Sequence, residues 1–166
     1  MRQRSALLTH GGKLRFEAET GTGRKVVFGD QVDANEHSPV ELVAAALAAC
    51  TAMDVVSILA KKRQVIEAYT VRVAAAQRDE YPQVLIRVDL VHDVAGPRVT
   101  EADVRRSIEL SATKYCPVNA MLSAGATEIH HRYRVRGTGE RPFEASGEVL
   151  VTGPYKRPDV IAKPQR

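Results

Sequence analysis

The sequence predicts an α+β fold in which a mostly antiparallel sheet packs on one long central helix. Short segments with alternating apolar and polar residues occur in pairs, and helical segments separate these pairs without a regular strand–helix alternation. One helical segment carries almost no charge in its first half, as expected for a helix buried in a core. The 166 residues and the hydrophobic fraction of 44% suit one domain of ordinary size.

The first pair of strands is predicted between Lys13 and Asp30. Leu14, Phe16 and Ala18 alternate with charged residues, which is the period of a half-buried strand. A turn containing two glycines follows at 21–23, and the segment 25–28 (KVVF) is expected to return as the second strand.

The strongest helical signal begins at Ser38. Ser38 suits the N-cap, Pro39 suits the first helical position, and Glu41 stands three residues after the serine, which makes a capping box. The helix is predicted to run to about Lys62. Because it is apolar on more than one side, we expect a second subunit to cover it.

Two further strands are predicted at 69–75 and 84–91. In the second of these Val84, Ile86, Val88 and Leu90 are expected to face one way, with Arg87 and Asp89 on the other face. Thr100, with Asp103 three residues later, is expected to start a second helix that ends near Thr113. Its apolar stripe consists of Val104, Ile108 and Ala112.

The last third is predicted to hold a short helix and two strands. The helix begins at Pro117 and ends near Ser123, and a core strand follows at 127–135 with Ile129, His131, Tyr133 and Val135 on one face. The segment 148–152 is a further candidate strand. We expect one domain over residues 1–136 and a C-terminal extension over 137–166. Pro154, Pro158 and Pro164 indicate that the end of this extension is extended or disordered.

Charge and hydropathy argue against two classes of partner. The net charge of +4 and the pI of about 9.2 are mildly basic, but no nucleic-acid-binding motif or long basic run is present, so we expect no nucleic-acid partner. No stretch comes close to the roughly 18 apolar residues of a membrane-spanning helix, and the first ten residues do not resemble a signal peptide. We therefore expect a cytoplasmic protein without a membrane partner.

The two cysteines, Cys50 and Cys116, are the main candidates for chemistry. In a cytosolic chain they are expected to be free thiols or a redox pair. Cys116 precedes Pro117, so it would stand at a helix N-cap where the helix dipole favours a thiolate, with Lys114 adding positive charge. The alternative is a small buried cysteine that ends a loop. Cys50 lies in an apolar run and can equally be a packing residue, with Asp54 four positions on as its charged neighbour.

A metal site is not predicted. His130 and His131 are adjacent on a strand and would point to opposite faces, and no other His or Cys lies at ligand spacing.

Three segments carry a resemblance to a known family. The run SPVEL at 38–42 leads to AAC at 48–50, DVVSIL follows at 54–59, and SATKYCPV stands at 111–118. Together they resemble the OsmC/Ohr family of osmotically inducible and organic hydroperoxide resistance proteins, over roughly residues 12 to 136. The DVVSIL and KYCPV runs are nearer to the OsmC-like branch than to the Ohr enzymes.

The resemblance implies an intertwined homodimer and a thiol peroxidase that acts in oxidative-stress defence without a metal or organic cofactor. It makes Cys50 the thiol that attacks an organic or hydrogen peroxide and Cys116 the thiol that resolves the product as a disulfide. An external dithiol, such as a lipoyl protein, would restore both thiols.

The same resemblance suggests two charged catalytic residues. Arg24 in the glycine turn matches the family's arginine best, and Arg15 is the second choice. The family's glutamate directly follows the proline, where this chain has Val40, so Glu41 lies about 100° further around the helix. Glu41 is the candidate, with its capping-box role as the alternative explanation.

A non-enzymatic protein is the alternative function. An apolar pocket at the dimer interface could hold a small molecule, with the thiols vestigial or redox-sensing. A purely structural dimer whose basic tail recruits a partner is a third hypothesis.

Overall fold

The computed structural model describes residues 3–30 and 35–151 and divides the chain into two compact units. The first unit ends at Val43, and the second begins at Ala44. The expectation of an extended or disordered tail around Pro154, Pro158 and Pro164 falls outside the described residues.

The first unit contains a three-stranded antiparallel sheet in the order β1 (Ala6–His10), β2 (Phe16–Thr20), β3 (Lys25–Phe28). The two strands predicted for this region correspond to β2 and β3. β1 was not predicted, and all five of its residues are exposed, so it lacks the alternation of buried and exposed positions that reveals a strand in sequence.

The long helix α1 (Pro39–Lys61) begins at the expected proline. Only one side of it is buried within this chain, at Ala44, Leu47, Ala48, Thr51, Val55 and Leu59. The expectation of a helix buried in a core is thus met on one side among the described residues, and Met53 and Val56 remain 73% and 43% exposed.

By length and composition α1 also qualifies as a membrane-spanning helix, contrary to the expectation that no segment comes close. The cause is its composition, because alanine, valine and leucine fill the helix and few charges interrupt them. The central helix of a globular core meets the same criterion.

The second unit is built on a four-stranded sheet in the order β4 (Ala68–Gln77), β5 (Leu85–Gly96), β6 (Glu128–Gly137), β7 (Phe143–Val151). β5 and β6 run parallel, and the other two pairs are antiparallel, so the sheet is mostly antiparallel as predicted. A parallel pair needs a crossover connection. Here the crossover contains α2 (Glu101–Leu110), a π-helical segment (Ser111–Tyr115) and α3 (Pro117–Ser123).

A β-bulge corrects the predicted face of β5. The β4–β5 register shifts between Ala76 and Gln77, whose partners are Arg87 and Leu85, and Ile86 is the extra residue. The side-chain alternation therefore changes here. Leu85 is buried, whereas Ile86 and Val84 are 41% and 43% exposed, so the prediction that Val84 and Ile86 share one face with the buried Val88 and Leu90 was wrong.

The core of the second unit lies between the sheet, α2 and the second half of α1. The predicted inner face of β6 is confirmed, since its four residues are at most 2% exposed. Thr100 caps α2 by accepting from the Asp103 N–H at 3.2 Å, as expected. The buried cluster consists of Val55, Leu59, Val94, Val99, Val104, Ile108, Tyr133, Val135 and Val149.

The C-terminal strand is longer than expected. β7 pairs with β6 along its whole length, from Phe143 opposite Gly137 to Val151 opposite Ile129. Residues 148–151 of the candidate strand are thus the end of a nine-residue strand, and residue 152 lies outside the described residues. The domain boundary after residue 136 stays a prediction, and β7 continues the sheet beyond it.

Candidate active site

Cys50 lies in the middle of α1 and is partly buried. Residues four apart lie on the same face of a helix, so α1 places Asp54 one turn beyond Cys50 on the same side. Thr51, which is fully buried, lies next to Cys50 in the sequence.

Cys116 is presented by the π-helical segment and by α3. The widened turn at Ser111–Tyr115 ends where the Cys116 N–H donates to the Ser111 carbonyl at 2.9 Å. Cys116 is then the N-cap of α3, as predicted, and its Sγ accepts from the Asn119 N–H at 3.3 Å. Its side chain is buried, with a relative exposure of 2%.

The two cysteines meet although they are 66 positions apart in the sequence. The sulfur atoms of Cys50 and Cys116 and a carboxylate oxygen of Asp54 all lie within 4.8 Å of one another. Two hydroxyls complete this cluster. Thr51 Oγ1 donates to Cys116 Sγ at 3.9 Å, and Ser111 Oγ donates to Asp54 Oδ2 at 2.8 Å.

The Cys116 thiol is held in its protonated form. Burial and the neighbouring Cys50 thiol raise the pKa of Cys116 to about 12, and the hydrogen bonds from the Asn119 N–H and from Thr51 only partly oppose them. The expectation of a thiolate favoured by the N-cap and by Lys114 was therefore wrong. Lys114 is exposed, and its ammonium lies 5.3 Å from the centre of the Tyr115 ring.

A buried chain of hydrogen bonds begins at Asn119. Its amide Nδ2 donates to the Ala112 carbonyl at 3.0 Å, so its Oδ1 accepts from His131 Nε2 at 3.0 Å. With that proton on Nε2, a neutral His131 accepts at Nδ1 from His92 Nε2 at 3.2 Å. His92 Nδ1 in turn accepts from the Tyr69 hydroxyl at 2.8 Å. The chain thus runs in one direction with both imidazoles neutral.

The two adjacent histidines point to opposite faces of β6, as predicted. His131 is fully buried inside, whereas His130 lies on the outer face, where its Nδ1 is 2.8 Å from Glu148 Oε1. They therefore share no site.

The charged residues suggested by the resemblance lie in the first unit. Arg24 is exposed just before β3, and its backbone N–H donates to Thr20 Oγ1 at 3.2 Å. Arg15 pairs with Glu36, with Nε 3.6 Å from Oε1. Glu41 is exposed in the first turn of α1.

Sequence reasoning missed Thr51, Ser111 and Asn119 as residues of the thiol cluster, and His92 as a member of the hydrogen-bond chain that begins at Asn119. Thr51 directly follows Cys50, and Ser111 and Asn119 stand on either side of Cys116 in the sequence. Closeness in sequence could therefore have indicated these three residues. His92 lies at an inner position of β5 among valines and leucines, and no local pattern links it to a cysteine.

The comparisons with known proteins fit this arrangement. The model of the OsmC-like protein family matches residues 32–139, which include both cysteines. Protein YhfA of Escherichia coli K12 is 36% identical over 122 residues, which cover 74% of this chain and 90% of YhfA.

Solved structures share the fold at lower identity. A hypothetical protein from Aquifex aeolicus is 24% identical with a TM-score of 0.72, and it covers 81% of this chain and 97% of its own. An organic hydroperoxide resistance protein OsmC from Legionella pneumophila is 15% identical with a TM-score of 0.61, over 81% and 97% of the two chains. By the family match and by its similarity to YhfA, this chain belongs to the OsmC-like protein family.

Proposed function

We propose that this protein is a thiol-dependent peroxidase that reduces organic or hydrogen peroxides through Cys50 and Cys116. The observation that carries the proposal is the approach of the two sulfur atoms to within 4.8 Å. Family membership and the shared fold of organic hydroperoxide resistance proteins support a peroxide-related redox role in oxidative-stress defence.

The proposed reaction has two steps on this pair. The Cys50 thiolate attacks one oxygen of ROOH, the O–O bond breaks, and the second oxygen leaves as ROH after taking a proton. Cys50 is then a sulfenic acid. The Cys116 sulfur attacks the Cys50 sulfur, water leaves with the Cys116 proton, and a disulfide remains.

The surroundings of the thiols support this division of roles. The raised pKa of Cys116 keeps it protonated at neutral pH, and a protonated thiol is a poor first nucleophile. Cys50 is also the more accessible of the two, since it is partly buried whereas Cys116 is buried. The first attack therefore falls to Cys50.

Arg24 and Glu41 are proposed as the charged residues that assist Cys50, with Arg15 as the alternative arginine. This assignment rests on the resemblance of their positions to the family pattern. An arginine beside the attacking sulfur would favour its thiolate form. Removing the correct arginine should lower the rate of the first step without changing the rate of disulfide resolution.

A second copy of the chain and an external dithiol are the proposed partners. The exposed Met53 and Val56 on α1 give an apolar surface that a homodimer would bury, and an apolar lining would favour hydrophobic peroxides over hydrogen peroxide. A dithiol such as that of a lipoyl protein would reduce the disulfide by thiol–disulfide exchange.

The test is consumption of cumene hydroperoxide and of hydrogen peroxide by the purified protein with excess dithiol. Cys50→Ser should abolish turnover. Cys116→Ser should give a single fast turnover and leave a sulfenic acid that dimedone traps. Ser57→Ala, an exposed position on the same helix, serves as the control and should match the wild type. Wild-type turnover no faster than that of Cys50→Ser would refute the proposal.

A redox-sensing or ligand-binding protein is the second candidate. The observation in its favour is Asp54, because a carboxylate within 4.8 Å of both sulfur atoms makes a further negative charge there unfavourable. Under this alternative Cys50→Ser would leave the binding of an apolar ligand intact, and the wild type would form its disulfide without catalytic turnover of peroxide.

A further inference from the structure

We infer that the reduced protein binds one zinc ion through Cys50 Sγ, Cys116 Sγ and the Asp54 carboxylate. These three atoms come from two separate parts of the chain and lie within 4.8 Å of one another. The inference requires only reduced thiols, so it is independent of the proposed peroxidase activity.

The donor set suits a thiophilic divalent cation. Zinc binds cysteine sulfur at about 2.3 Å and carboxylate oxygen at about 2.0–2.2 Å. At tetrahedral angles two sulfur atoms on one zinc ion lie about 3.8 Å apart. The two sulfur atoms here lie within 4.8 Å of each other, so they would move together by about 1 Å at most. Calcium and magnesium prefer all-oxygen sites, which this cluster does not offer.

A divalent cation would neutralise the negative charge that the three ligands carry when the thiols ionise. If both thiols ionised beside Asp54, three negative charges would lie within 4.8 Å of one another in a partly buried place. Burial makes such charges costly when they are uncompensated, and Cys116 is buried here. A divalent cation neutralises two of them, and the two thiol protons leave to solvent as the metal binds.

Hydrogen-bond donors already point at two of the three ligands. The Asn119 N–H and the Thr51 hydroxyl reach Cys116 Sγ, at 3.3 and 3.9 Å, and the Ser111 hydroxyl reaches Asp54 Oδ2 at 2.8 Å. Donors to ligating sulfur and carboxylate groups orient them and tune metal affinity. Three protein ligands would leave a fourth position for water.

Zinc and the disulfide exclude each other, because both use the same two sulfur atoms. Bound zinc would therefore protect the thiols from peroxide, and oxidation to the disulfide would release the metal. This relation makes the cluster a redox-dependent zinc site.

The experiment titrates zinc and cobalt into the reduced, untagged full-length protein. We expect one equivalent to bind and cobalt to show a thiolate charge-transfer band. Cys50→Ser and Cys116→Ser should each lose that binding, while their circular dichroism stays that of the wild type. Ser111→Ala should weaken binding roughly 10-fold through the freed carboxylate. Asp54→Asn should weaken it further, and the control Asp79→Asn, at an exposed position, should leave it unchanged.

A second measurement uses only the wild-type protein. One equivalent of zinc should slow the alkylation of both thiols by iodoacetamide, and the disulfide form should bind no zinc. A reduced protein with two titratable thiols that binds no zinc would refute the inference, as would zinc binding that survives in the Cys50→Ser/Cys116→Ser double variant. The peroxide assay on the same preparation separates this result from the proposed function: an inactive protein that binds zinc refutes only the peroxidase, and an active one that binds none refutes only the zinc site.

Discussion

His131 donates from Nε2 to the side-chain oxygen of Asn119 over 3.0 Å, and neither side chain is exposed to solvent. This bond joins the histidine pair of the sheet to α3, because the backbone N–H of the same asparagine donates to Cys116 Sγ. The interior of the second unit is therefore connected to the thiol cluster by one continuous set of hydrogen bonds.

We predict that stability falls in mild acid. Burial lowers the pKa of His92 to about 4, although Asp93 partly opposes it, and burial together with the neighbouring histidines lowers the pKa of His131 well below its usual value. Between about pH 6.5 and pH 4 these two histidines bind protons in the unfolded chain but stay neutral in the folded protein. The free energy of unfolding therefore decreases as pH falls. His92 alone should contribute a loss of about 3 kcal/mol at pH 4.

Urea denaturation at a series of pH values measures this effect. His10→Gln, which removes an exposed histidine, should leave the pH dependence unchanged. His92→Gln should make the curve flatter below pH 6.5. An equally steep curve in that variant would show that other groups cause the acid instability.

Asn119→Ala should lower the free energy of unfolding by about 1–3 kcal/mol. The change leaves the buried His131 Nε2–H without its acceptor, which costs the desolvation of that group. The same truncation at the exposed Asn35 should cost little, and urea denaturation at neutral pH compares the two. Equal effects of both changes would mean that the buried network contributes nothing measurable.

Gly96→Ala should destabilise the protein, whereas Gly125→Ala should not. A Cβ at Gly96 would collide with the backbone carbonyl oxygen of Val65, which cannot move without disturbing the backbone. Overpacking of this kind costs about 1–3 kcal/mol. A Cβ at Gly125 meets only the Leu122 carbonyl oxygen at 3.7 Å, an ordinary contact. Thermal denaturation of the two variants provides the comparison.

Met53→Glu should weaken the proposed homodimer. Met53 is 73% exposed on the apolar surface of α1, and a carboxylate there would lose its hydration if a second copy covered it. Tyr81→Glu changes an even more exposed residue in the β4–β5 turn and should have no effect. Sedimentation equilibrium measures both, and a Met53→Glu variant that dimerises like the wild type would place the interface elsewhere.

Much of the fold follows from local signals in the sequence. Thr100 and Asp103 mark the start of α2 because a side-chain cap satisfies a backbone N–H that the helix leaves unpaired. The alternation along β6 gave its inner face correctly because one side of that strand is buried. The position of Ile86 could not be predicted, since a bulge depends on the register with the neighbouring strand.

The candidate site shows a similar division. The two cysteines could be identified from the sequence, but the protonation of Cys116 could not, because burial by residues distant in the chain outweighs the favourable N-cap position. The histidine chain was also beyond reach, since Tyr69, His92 and His131 come from three different strands that only the sheet brings together.

The separation of Cys50 and Cys116 along the chain has a thermodynamic consequence. Oxidation would close a covalent loop of about 66 residues, which restricts the conformations open to the unfolded polypeptide. For a loop of this length the chain-entropy model gives a stabilisation of about 4 kcal/mol. The oxidised protein would then melt at a higher temperature than the reduced one. Exposure to peroxide would therefore make the protein more resistant to heat.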